Sequence, residues 1–173
     1  MMTSNGTGIR ILGTLRSADG KGVVRMQDRF NTDIDDLWSA LTEPRRLARW
    51  IAEVEGDDLR PGGQVRARFT SEWEGTVRVE ACEPPRRLLL VTKADDRPDE
   101  LTIEATLTPD GDKTILVIEE RGMPLPHVAD YGAGWQCHVE DLAAHIAGRE
   151  RGDIEKRWDE LAPAYQQLEV SPE

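Results

Sequence analysis

The chain has 173 residues, 38% of them apolar and 32% charged, with a net charge of −11. That length suits one domain with a real core, and no stretch comes near the roughly 18–20 apolar residues of a membrane-spanning helix. The acidic balance speaks against nucleic acid and anionic membranes, which recruit clusters of Lys and Arg.

The opening MMTSNGTGIRILG has no basic stretch followed by an apolar one, so no signal peptide is expected. Residues 1–8 read as a flexible N-terminus, 9–149 as a single domain and 150–173 as a C-terminal helical extension. Segments 9–16 and 23–30 are predicted to pair as a hairpin, with Asp19-Gly20 and Gly22 supplying turn chemistry. The period then changes. Thr32 is placed to cap a helix carrying Asp33, Asp35 and Asp36 at its start, where the helix dipole favours acids. Ile34, Leu37, Trp38 and Leu41 form its apolar face. Pro44 opens a second short helix, which turns Leu47, Trp50 and Ile51 inward. The basic cluster Arg45, Arg46 and Arg49 reads as its solvated face.

A strand series follows. Val65, Ala67 and Phe69 alternate with Arg66 and Arg68, and Val77, Val79 and Ala81 alternate with Thr76, Arg78 and Glu80. Pro84-Pro85 forces a break before RRLLLVTKA. Segments 101–109 and 114–122 form a hairpin across Asp110-Gly111-Asp112. Then comes one long amphipathic helix, Tyr131 to Gly148, with Tyr131, Trp135, His138, Leu142 and Ile146 on one face and Glu140, Ala144 and Ala147 on the other. In the tail, Trp158, Leu161, Tyr165 and Leu168 recur at helical spacing, with Pro163 expected to kink that helix or start another. The tail is expected to pack on its own domain, a homodimer contact being the alternative. Strands bracketed by helices indicate an α+β fold. A bulky apolar stripe on a late helix needs a sheet to lie on, and the two together enclose a pocket.

The ordered segments DLWSALTEPRRLARWI (36–51), RPGGQVRARF (60–69), GTVRVEACEPPRRLLLV (75–91), LTPDGDKTILVIEERG (107–122) and Gly134-Trp135 carry a resemblance. Together they resemble the START-like (SRPBCC, helix-grip) superfamily, which includes polyketide cyclases. Within it the chain is most similar to the group named after the C-terminal domain of the activator of heat-shock protein 90 ATPase. The resemblance implies a curved antiparallel sheet of about six or seven strands, wrapped around a long C-terminal helix, with two short helices after the first strand. It also implies a mostly apolar cavity between sheet and helix. Many relatives close the strand near residue 122 with a His-Ser-Gly-like step. Here it reads Glu120-Arg121-Gly122, which sets aside pocket chemistry resting on a histidine there.

His138 is the first candidate functional side chain, as a ligand hydrogen-bonding group or general base. Packing at the edge of the stripe is the alternative. Glu120 is the second. Strand parity alone does not orient it, because both faces of 115–120 are apolar before the glutamate, but relatives turn this position toward the cavity. A buried carboxyl there has a raised pKa unless it is paired. Arg78 is the candidate partner, and an ion pair and a catalytic acid both stay open. Phe69, Trp73, Met123, Tyr131, Trp135 and Leu142 complete the expected ligand-binding set. His127, His138 and His145 lack metal-site spacing, so neither metal nor cofactor is expected. Cys82 and Cys137 fit neither a disulfide framework nor a zinc site, and reduced thiols in a cytoplasmic protein are expected. No catalytic signature is present. The leading expectation is therefore binding of a small hydrophobic or aromatic molecule, as a carrier or sensor. A cyclase- or hydrolase-like enzyme and a chaperone-activator-like interaction module are the alternatives.

Overall fold

The computed structural model describes residues 9–56 and 59–172, so the N-terminal segment 1–8 lies outside the described residues. The strands are β1 (Gly13–Ala18), β2 (Lys21–Phe30), β3 (Ala52–Glu55), β4 (Gln64–Phe69), β5 (Glu74–Glu83), β6 (Arg87–Ala94), β7 (Glu100–Asp110), β8 (Lys113–Pro124) and β9 (Val170–Ser171). The helices are α1 (Ile34–Thr42), α2 (Pro44–Trp50), α3 (Val128–Ile146) and α4 (Ile154–Gln166). The strands form one sheet in the order β3-β4-β5-β6-β7-β8-β2-β1-β9, antiparallel except where β9 joins β1. This is the α+β helix-grip architecture, a curved sheet holding the long helix α3.

Four details depart from the sequence reading. The sheet has nine strands among the described residues, because the short segments β3 and β9 join its edges; two to four residues are too few for periodicity to register. The short helices follow the β1–β2 hairpin rather than a single strand. Asp33, not Thr32, caps α1, its side chain accepting from the Asp36 backbone N–H. Thr32 instead donates its hydroxyl to the Asp36 carboxylate at 2.7 Å. Along β5, Gly75, Val77 and Val79 are buried in alternation, but the register shifts between Val79 and Ala81. That bulge adds a residue against β6 and breaks the alternation, leaving Ala81 only half-buried.

The tail is one continuous helix despite Pro163. It packs along α3 and buries Leu161 and Tyr165 completely. The face of α3 bearing Ala144 therefore meets α4, not solvent. Gln136 sits at the centre of this seam. Its side-chain oxygen accepts the Leu12 N–H at 3.0 Å and the Tyr165 hydroxyl, and its amide donates to the Arg10 carbonyl and to Glu140. The Tyr165 oxygen also accepts the Gly13 N–H at 3.1 Å, so α3, α4 and the approach to β1 are tied together. Gly132 leaves the room this needs, since a Cβ there would lie 2.6 Å from the Tyr165 ring.

Arg46 is no solvated helix face. It donates from Nε to His145 Nε2 at 3.0 Å and from its terminus to the Asp36 carboxylate at 2.9 Å, joining α1, α2 and α3. Among the described residues no helix is long and apolar enough to cross a membrane.

Candidate functional site

Beneath α3 the sheet leaves a cavity of about 710 Å³, within the size range of small-molecule sites. α3 supplies Tyr131, Gly134, Trp135 and His138, positions i, i+3, i+4 and i+7, which share one helix face. The floor comes from Thr92 on β6, Ile103 on β7 and Glu120 on β8. Glu120 points inward because Thr114, Leu116, Ile118 and Glu120 alternate as the buried face of β8. The turn between β4 and β5 brings Phe69 and Trp73 to one side. That turn closes through the Phe69 N–H on the Trp73 carbonyl and carries Glu72 at φ 72°, a strained conformation for a side-chain-bearing residue. The Trp73 indole lies over Gly75, where a Cβ would come within 2.7 Å of it.

The polar groups are arranged around Trp135. Its indole Nε1–H donates to Glu120 Oε1 at 2.6 Å. Its ring meets His138 edge-on with centroids 5.8 Å apart, and Phe69 meets the same imidazole at 5.7 Å. Burial drives the Glu120 carboxyl up to about 7, with the Trp135 hydrogen bond pulling the other way. Burial pushes His138 down to about 4. Near pH 6 both groups are therefore uncharged, one an acid and the other a base. Tyr131 is raised by burial first and by Glu120 second. Three buried side-chain polar atoms among the described residues lack any hydrogen-bond partner, and two of them, His138 Nδ1 and Thr70 Oγ1, belong to residues that line the cavity.

Six of the sequence-predicted residues converge here: Phe69, Trp73, Glu120, Tyr131, Trp135 and His138. Two do not. Met123 is fully buried beside Gly22 on the β2 side, and Leu142 lies two turns beyond Trp135 in the closed core. Arg78 does not reach Glu120. It pairs with Glu80 and Glu100 on the outer face, as β5 parity requires. The first turns of α4 were missed as a wall; Ile154, Glu155 and Trp158 line the cavity mouth, and the Trp158 indole donates to the Asp130 carbonyl at 3.4 Å. Arg97, in the β6–β7 loop, lines it as well. The helical stripe of the tail was visible in sequence, but nothing local says which end of that helix reaches the pocket. Behind Phe69, Ile103 and Trp135 a second void of about 80 Å³ opens into the purely apolar core.

A family model matches residues 31–147 of this chain, which include most of the cavity lining. The chain belongs to the Activator of Hsp90 ATPase homolog 1-like protein family. The match runs through the end of α3 and stops before α4, so the wall that α4 adds lies beyond it. The crystal structure of CalU16 from Micromonospora echinospora is 26% identical, over 90% of this chain and 94% of that one, with a TM-score of 0.72. DynU16, a protein of the dynemicin biosynthetic locus, is 27% identical over 79% of this chain, with a TM-score of 0.71, and this chain spans 51% of its length. A Bordetella parapertussis protein, 20% identical with a TM-score of 0.70, covers 98% of this chain and shares the fold. No curated protein matches this chain by sequence.

Proposed function

We propose that the protein binds a small hydrophobic or aromatic molecule in the cavity between the sheet and α3, as a carrier or sensor. The observation that carries this reading is an aromatic-walled cavity of about 710 Å³ whose floor holds the buried Glu120 carboxyl, which has no basic partner among the described residues. A closed core ordinarily gives a buried carboxyl such a partner. The likeness to DynU16, a protein of a biosynthetic locus, supports a small-molecule setting.

A native mass spectrum of the purified protein, followed by denaturation, tests it. A stoichiometric low-mass companion is expected, or, for the empty protein, a rise in Tm with a naphthalene-type probe. A probe at a hundred times its Kd adds about 2.7 kcal/mol. No companion and no rise in Tm would contradict the reading.

A cyclase- or hydrolase-like activity is the second reading, favoured by an acid and a base, Glu120 and His138, lining the same cavity. Lost turnover with retained binding in Glu120→Gln or His138→Ala would select it over a carrier.

A further inference from the structure

Among the described residues Glu120 has no positive partner: no lysine, arginine or histidine forms an ion pair or hydrogen bond with it, and its one hydrogen bond, from Trp135, engages only Oε1. Buried carboxyl groups ordinarily have a countercharge or hold a proton. The cavity supplies no such countercharge from the protein. Its charged lining consists of Glu72, Glu120, Asp130 and Glu155 against the single guanidinium of Arg97. Among the described residues that guanidinium forms no ion pair or hydrogen bond with Glu120, whose one hydrogen bond comes from Trp135.

Five aromatic residues, Phe69, Trp73, Tyr131, Trp135 and Trp158, stand among the rest of the lining. Aromatic faces attract cations, most strongly where water is excluded. A cleft lined by one sign of charge also concentrates the opposite sign. The neutral imidazole of His138, edge-on to Trp135 and Phe69, adds no positive charge to this lining.

We infer that the cavity selects aromatic amines in their protonated form, the ammonium standing as the missing countercharge of Glu120 and the ring system lying against Trp135 and Phe69. This rests on the reading of the cavity as a ligand site and narrows its ligand class. Aromatic carboxylates are excluded by the same acids that draw the amine. A neutral alcohol of the same shape gains the ring contacts without the charge-assisted hydrogen bond, which is about twice as strong as a neutral one.

Three probes of one shape separate these terms: 1-naphthylmethylamine, 1-naphthalenemethanol and 1-naphthoate, titrated calorimetrically into the intact protein at about pH 8, above the ionisation of Glu120. The amine should bind about tenfold or more tightly than the alcohol, with the carboxylate weakest. In Glu120→Gln the amine and the alcohol should bind within about threefold of each other. An alcohol that binds as well as the amine overturns this inference and leaves the ligand-site reading standing. So does an amine advantage that survives Glu120→Gln. If none of the three binds, both fall. The wild-type series needs no variant, so a poorly folding Glu120→Gln does not shield the proposal.

Discussion

The two faces of α3 carry polar groups under opposite conditions. On the α4 side, Gln136 is fully buried yet fully partnered, holding Leu12, Tyr165, Arg10 and Glu140. On the cavity side, one residue before Gln136 and two after it, Trp135 donates to a carboxyl with no countercharge, and His138 keeps a nitrogen with no partner. Desolvation costs both faces alike. Around Gln136 the α4 face recovers it through four hydrogen bonds within the chain, whereas the cavity face has the single Trp135–Glu120 bond. The difference separates a network that fixes the fold from one left open for something else.

The comparison breaks most visibly at Tyr165. Tyr165→Ala should cost about 3–5 kcal/mol, since it opens a cavity in the seam and strands Gln136 and the Gly13 N–H; chemical denaturation would show it. A loss under about 1 kcal/mol would mean that the α4 face is not the structural one.

The pH dependence sharpens the other side. Glu120 is raised from 4.5 to about 7, so its contribution to stability is fully present below pH 4.5 and is lost as the pH rises through 7. Relative to Glu120→Gln, the wild type should lose about 3 kcal/mol across that window. His138 has the opposite sign. Its folded pKa is depressed from 6.5 to about 4, so its contribution is present above pH 6.5 and is lost as the pH falls toward 4. Denaturation curves of wild type, Glu120→Gln and His138→Leu across this range check both slopes, and parallel curves would show that the two groups are solvated.

A smaller effect is expected at Gly132. A methyl there meets the Tyr165 ring at 2.6 and 2.9 Å, and Gly132→Ala should lower stability by about 1–3 kcal/mol in a thermal melt. The smallest is Arg157→Ala. It removes a two-pronged but partly solvated pair with Glu140, for about 1 kcal/mol or less, with reduced salt sensitivity as its signature.

Much of this was legible in the chain. The stripe Tyr131, Trp135 and His138 follows from helical period, and the hairpins follow from Asp19-Gly20 and Asp110-Gly111-Asp112. The inward face of Glu120 came from family likeness, because Ile115 and Val117 are as apolar as Leu116 and Ile118. What stayed hidden depends on long-range packing. Arg78 was chosen as a partner by charge, but β5 directs it to the outer surface. Met123 and Leu142 have the right chemistry for a pocket, yet they fall where β2 and the helix close on each other. The contribution of α4 to the cavity mouth rests on the Tyr165–Gln136 anchor, and a contact between residues 29 positions apart leaves no local signal.

The most direct test of the central claim is one variant read two ways: Glu120→Gln combined with His138→Leu, measured for folding stability at about pH 7 and for affinity toward 1-naphthylmethylamine. Removing a buried carboxyl without a countercharge and an imidazole with an unpartnered nitrogen should leave stability unchanged or higher and abolish tight binding. A clear loss of stability with affinity intact would show that these groups serve the fold and that the cavity does not use them.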